Sequence, residues 1–133
     1  MPQPGTTVEE TLGLELLELR EDYASGRFAV EERVMQHMGV VHGGVYATLA
    51  ESLASHATHL AVQADGLVAL GLSNSTNFLR PVSEGEVRAE ARRRHGGRTT
   101  WIWDVELSDG AGRLCAVARV TVAVRPDTRG DGS

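Results

Sequence analysis

Lysine is missing altogether. All 13 basic residues are arginine, and 18 acids outweigh them to give a formal net charge of -5. Such a chain is a poor general nucleic-acid binder, because that affinity rests on neutralising phosphates. Cysteine is nearly absent too: Cys115 stands alone, which excludes an internal disulfide and a cysteine-built zinc site. No apolar run approaches the roughly 18–20 residues that a membrane-spanning helix needs. Residues 1–7 carry neither the basic region nor the apolar block of a secretory signal. A cytoplasmic location, with no membrane partner, is therefore expected. What remains is ordinary for a globular protein: 133 residues, 41% hydrophobic and 23% charged, enough for one domain. The charge is uneven. Residues 1–65 hold ten acids and three arginines, and residues 66–133 hold eight acids and ten arginines. The second half is thus suited to one small phosphorylated ligand.

Residues 1–11 read as an N-terminal extension, with a possible short helix near Val8–Leu12, residues 12–125 as one domain, and residues 126–133 as a flexible tail. The tail contains Arg129-Gly130-Asp131, a cell-adhesion tripeptide, but glycine and aspartate are common in any loose terminus. Residues 13–21 and 26–34 read as two strands joined by a turn over Asp22–Gly26. Residues 42–64 read as one long helix. Tyr46, Leu49, Ala50, Leu53, Ala57, Leu60 and Ala61 recur at three- and four-residue steps, after Gly43-Gly44 and before Asp65-Gly66. Beyond Gly66 the period becomes two. Val87, Ala89 and Ala91, then Trp101, Trp103, Val105 and Leu107, then Ala116 through Val124 alternate with polar neighbours. Turn-forming stretches at 81–85, 95–97 and 108–112 separate them. The reading is an α+β domain: two strands, one helix and a four-strand meander, with the sheet packed on the helix.

The helix carries the chemical signal. Opposite its apolar stripe lie Thr48, Glu51, Ser52, Ser55, Thr58 and His59, at about 100° per residue. A solvated face usually carries several paired charges. Between His42 and Ala64 only Glu51 is ionised. Another surface is therefore expected to cover this face and confine that carboxylate, where its surroundings can tune it. At the helix start, Gly39-Val-Val-His-Gly-Gly44 offers free N–H groups to an anion or a polarised carbonyl oxygen. Glu51 lies eight residues beyond Gly43, about 12 Å along one helix, too far for both to act on one carbonyl. Two such helices packed antiparallel across a dimer axis would bring Gly43 of one to Glu51 of the other.

The run Gln36-His-Met-Gly-Val-Val-His-Gly-Gly-Val-Tyr-Ala-Thr-Leu-Ala-Glu51 resembles the signature of hotdog-fold acyl-CoA thioesterases of the phenylacetate-pathway type. With glutamate at the acidic position, it is most similar to the Arthrobacter-type 4-hydroxybenzoyl-CoA thioesterase branch. The resemblance covers residues 12–125. It implies an antiparallel sheet wrapped around one long central helix, dimers with joined sheets, and tetramers built from two dimers. It further implies Glu51 as catalytic carboxylate, nucleophile or general base, and the Gly43 N–H of a partner subunit as the group polarising the thioester carbonyl. Gln36 corresponds to an orienting amide, His42 to the motif histidine beside the thioester, and Ser55 to a hydroxyl holding the hydrolytic water. Arg80, Arg98, Thr99 and Thr100 are similar to family nucleotide contacts, and Arg125 or Arg129 could add a further grip on the coenzyme A phosphates. No cofactor beyond the substrate's own coenzyme A is implied.

Three other readings compete. His56 and His59, near Glu51, are one helical turn apart as metal ligands would be, but a catalytic zinc usually takes three converging ligands. No metal site is expected. A hotdog dehydratase or hydratase would need an acid–base pair acting on a hydroxyacyl chain. A non-catalytic acyl-CoA binding module would hold the ester without releasing thiol. His37 and His95 read as loop residues, Arg92–Arg94 as a charged run beside a turn, and Trp101 and Trp103 as packing against the helix.

Overall fold

The computed structural model describes residues 2–129. Residues 130–133 lie outside them, and with them Gly130 and Asp131 of the adhesion-like tripeptide. A short helix α1 (Val8–Leu12) leads into β1 (Glu15–Leu19) and β2 (Tyr23–Ala29). The long helix α2 (Gly43–Val62) follows, then β3 (Leu67–Phe78), β4 (Glu86–Gly96), β5 (Thr100–Asp109) and β6 (Leu114–Pro126). The six strands form one antiparallel sheet in the order β1-β2-β4-β5-β6-β3. That is the hotdog arrangement, a sheet curved around one central helix.

The alternation seen in β4, β5 and β6 is the burial pattern of the sheet. Val87, Ala89, Ala91, Trp103, Val105, Leu107, Val120 and Val122 are all buried. They meet Tyr46, Leu49, Ala50, Leu53 and Ala57 on α2. Trp101 and Trp103 pack inward as expected, and Trp103 donates its indole N–H to Thr58 Oγ1 at 2.9 Å.

Several expectations need correction. The four strands after the helix are not a meander: β3 pairs with β6, and β4 crosses over to β2. Thus β3 is an edge strand. The first hairpin turns at residues 20–22, so Gly26 sits inside β2. It is glycine because a Cβ there would come within 2.7 Å of the Glu15 carbonyl and 3.1 Å of a Leu49 methyl. Residues 32–34 form a 3₁₀ turn rather than strand. His95 lies within β4, paired with Ile102, not in a loop. Thr58 is fully buried, and Ser52 is covered because its hydroxyl donates to Glu9 of α1 at 3.1 Å. Leu60, placed in the apolar stripe, is exposed. No helix among the described residues is long and apolar enough to cross a membrane.

Candidate active site

Helix α2 begins with a local cap. His42 Nδ1 accepts from the Gly44 N–H at 2.9 Å. This holds the ring at the helix start and places the proton of the neutral imidazole on Nε2. The Gly43 N–H, one of the groups a helix start leaves without an intrahelical acceptor, has no hydrogen-bond partner among the described residues. Gln36 bends back so that its side-chain oxygen accepts from the Met38 N–H. Gln36, His42, Gly43 and Arg80 line one cleft of about 460 Å³ at this tip.

Two turns along, Glu51 and Ser55 line a second cleft of about 730 Å³, between α2, α1 and β3. Glu51 is exposed and makes no hydrogen bond or ion pair among the described residues. Its carboxylate lies directly against Gly71 of β3, where a Cβ would stand 2.9 Å from Oε2. Ser55 Oγ is buried and lacks a partner among the described residues. Beside it, His56 Nδ1 is 2.7 Å from the Ser52 carbonyl, so Nδ1 carries the proton and Nε2 is free.

The remaining predicted residues lie elsewhere. Arg125 donates to the Thr99 carbonyl at 3.1 Å and borders a third cleft of about 490 Å³ that also reaches Ser55. Arg98, Thr99 and Thr100 form the β4–β5 hairpin next to it. Arg129 is tied to Asp127, whose carboxyl those contacts pull down to about 2. The Arg92–Arg94 run is engaged within the chain: Arg92 with Glu90, Arg94 with Asp104, and Arg93 over the Trp101 ring. Among the described residues no three His, Cys, Asp or Glu side chains converge as metal ligands would.

So one chain gathers Gln36, His42, Gly43 and Arg80 in one place, Glu51 and Ser55 in a second, and the hairpin group in a third. Sequence reading missed Gly71 and Phe78. A lone glycine amid a strand pattern is the available signal for Gly71, since it marks close approach. Phe78, which lines both of the first two clefts, shows itself only in three dimensions.

The sequence profile of the thioesterase superfamily matches residues 38–116, from before the helix tip into β6. The chain belongs to the thioesterase superfamily. It is 38% identical over 120 residues to a proofreading thioesterase, EntH, of Cronobacter turicensis, covering 90% of this chain and 86% of that one. It is 33% identical over 118 residues to a 1,4-dihydroxy-2-naphthoyl-CoA hydrolase of Listeria monocytogenes, covering 89% and 95%. Among solved structures, thioesterase HI1161 of Haemophilus influenzae superposes with a TM-score of 0.87 at 34% identity, covering 94% of this chain and 87% of that one. These likenesses and the fold make this superfamily member a thioester hydrolase, which sets aside a binding module or a dehydratase.

Proposed function

We propose that the enzyme hydrolyses acyl-CoA thioesters with an aromatic acyl group, of the hydroxybenzoyl or phenylacetyl kind, and that Glu51 does the chemistry. The observation that carries this reading is the placement of Glu51. It is the sole charged side chain of α2 outside its histidines, unpaired among the described residues, one turn from an unpartnered Ser55 hydroxyl. A carboxylate left without a partner is available for attack or proton transfer. The Listeria relative, named for an aromatic CoA thioester, supports the aromatic class.

Two routes use this carboxylate. As nucleophile, a Glu51 oxygen bonds to the thioester carbon, the C–S bond breaks and CoA leaves as thiolate. Water then cleaves the mixed anhydride, freeing the acid and the carboxylate. As base, Glu51 takes a proton from water as the water oxygen attacks, and the collapsing adduct expels the thiolate. Either way, negative charge builds on the carbonyl oxygen and is met by the Gly43 N–H and the helix dipole. His42 can donate from Nε2 nearby, Gln36 orients the ester, and Ser55 holds the water. Arg80 on one side and Arg98, Thr99, Thr100 and Arg125 on the other grip the nucleotide.

Gly43 and Glu51 of one chain are too far apart to share a carbonyl, so the site is composite, each half from a different protomer. The edge strand β3 supports this assembly. It is 12 residues long, its outer edge is unpaired among the described residues, and it exposes Leu70 and Leu72 at 58% and 62%. Long apolar edges are normally covered. A homodimer joined there, and a tetramer of two such dimers, is the proposed assembly, in the cytoplasm.

The test is thiol release from benzoyl-CoA by Glu51→Gln and Glu51→Ala. Both variants are expected to lose about 10²–10⁴-fold in kcat, the range for removing a general base, while still binding the ester. Retention of most turnover by Glu51→Ala would remove Glu51 from the mechanism.

A further inference from the structure

The chain has only six aromatic residues, two each of Phe, Tyr and Trp. Three of them form a column. Phe28 of β2 is fully buried, and its ring centroid lies 6.2 Å from that of Tyr46. Tyr46 on α2 is buried too, and its ring lies 6.1 Å from that of Phe78 at an interplanar angle of 36°. Phe78, the last residue of β3, ends the column at the surface with 59% of its area exposed. Its backbone is held in register opposite Ala116, and the Leu79 N–H after it donates to the Cys115 carbonyl.

The open end of this column coincides with the helix tip. A Cβ at Gly43 would lie 2.7, 2.9 and 3.0 Å from three atoms of the Phe78 ring. The ring therefore rests on Gly43 itself, and it stands between the cleft at the Gly43 N–H and the cleft at Glu51. Anything whose carbonyl oxygen reaches that N–H must place its next atoms beside this ring. Aromatic rings favour offset or tilted contact with centroids about 4.5–7 Å apart. A fourth ring can continue the column where Phe78 leaves it open.

We infer that Phe78 is a specificity-determining residue: its exposed ring forms the wall against which an aryl acyl group lies while the thioester carbonyl meets the Gly43 N–H. This rests on the thioesterase reading above and names the element of this chain that selects the aryl class. It also explains the glycine at 43. A side chain there would push the ring off the tip, so the carbonyl donor and its wall come as a pair.

The experiment measures kcat/KM for benzoyl-CoA and hexanoyl-CoA by thiol release, for wild type, Phe78→Tyr, Phe78→Leu and Phe78→Ala, with circular dichroism to verify folding. Leucine keeps bulk without the ring; tyrosine keeps the ring. The benzoyl-to-hexanoyl ratio is expected to fall roughly three- to tenfold in Phe78→Leu and Phe78→Ala, the scale of one aromatic contact. It should stay near wild type in Phe78→Tyr. An unchanged ratio in folded Phe78→Leu, with wild type active, overturns the inference and leaves the thioesterase reading standing. A wild-type enzyme that releases no thiol from either ester overturns both. Gly43→Ala should lower the same ratio by displacing the ring, an effect that vanishes in a Phe78→Ala background; persistence there would equally count against the wall.

Discussion

At the scale of single residues, the site depends on what is absent as much as on what is present. Gly71 sits in the middle of β3, where the pairing with β6 slips by one residue between Gly71 and Ser73. A methyl at that position would occupy the space of the Glu51 carboxylate, 2.9 Å from Oε2 and 3.0 Å from Cδ. Because the obstructed atoms are the far end of a flexible side chain, the fold can accept the methyl and the carboxylate must move. Gly71→Ala is therefore expected to leave thermal stability unchanged or raise it slightly, since alanine suits an extended backbone better than glycine. Turnover should fall tenfold or more, about what misplacement of a reacting group by a fraction of an ångström to 1 Å costs. Parallel melting and thiol-release measurements check both. A stable variant with full turnover would mean that the position of Glu51 seen here is not the working one.

At the scale of elements, α2 is held by more than apolar packing. Thr58 Oγ1 accepts from the Trp103 indole and donates to the Ala54 carbonyl at 2.7 Å, all of it buried. Thr58→Val keeps the shape and strands the indole N–H, which costs about 1–3 kcal/mol for a buried donor. A drop of several degrees in Tm is expected, and Thr58→Val with Trp103→Phe should cost less than the two changes summed; strict additivity would deny the contact. This threonine also shows where sequence reading reached its limit. Period and glycine brackets made α2 legible, and alternation made β4, β5 and β6 legible. A helix wheel sets Ser52 and Thr58 opposite the apolar stripe because it assumes one dry side. Here the sheet wraps so far around α2 that Thr58 meets a strand, and α1 covers Ser52. The place of β3 was hidden for a different reason: which strands pair is decided by contacts distant in sequence, and an alternating pattern is silent about its neighbour. Gly26 misled because glycine signals both a turn and a crowded backbone. Within the site, Glu51 stood out as a solitary charge, whereas Phe78 and Gly71 acquire meaning only when β3 is laid beside α2.

At the scale of the whole molecule, one chain supplies every proposed group but in the wrong places. The Gly43 tip and Glu51 open into separate clefts on one uncovered side of α2, and Leu70 and Leu72 leave the adjoining edge apolar. The dimer proposed above, joining β3 to its copy by a two-fold operation, would lay the two helices side by side. In the proposed assembly it would offer each tip the other chain's carboxylate, giving two equivalent sites per dimer. Complementation between damaged chains tests this directly. Gly43→Pro removes the N–H at the first helical position, where proline is otherwise compatible with a helix, and Glu51→Ala removes the carboxylate. Each homodimer should be nearly inactive. After subunit exchange at equal concentrations, half of the dimers are hybrids, and each hybrid has one intact site of its two. Activity should return to about a quarter of wild type, the value set by two-fold symmetry with a shared site. If Gly43 and Glu51 served the same substrate from within one chain, every hybrid site would carry a lesion and no activity would return. Native mass spectrometry of differently tagged chains reports the exchange, and circular dichroism reports the fold of each variant. A silent mixture of folded, fully exchanged hybrids would therefore rule out the shared site and require both groups to act from one protomer.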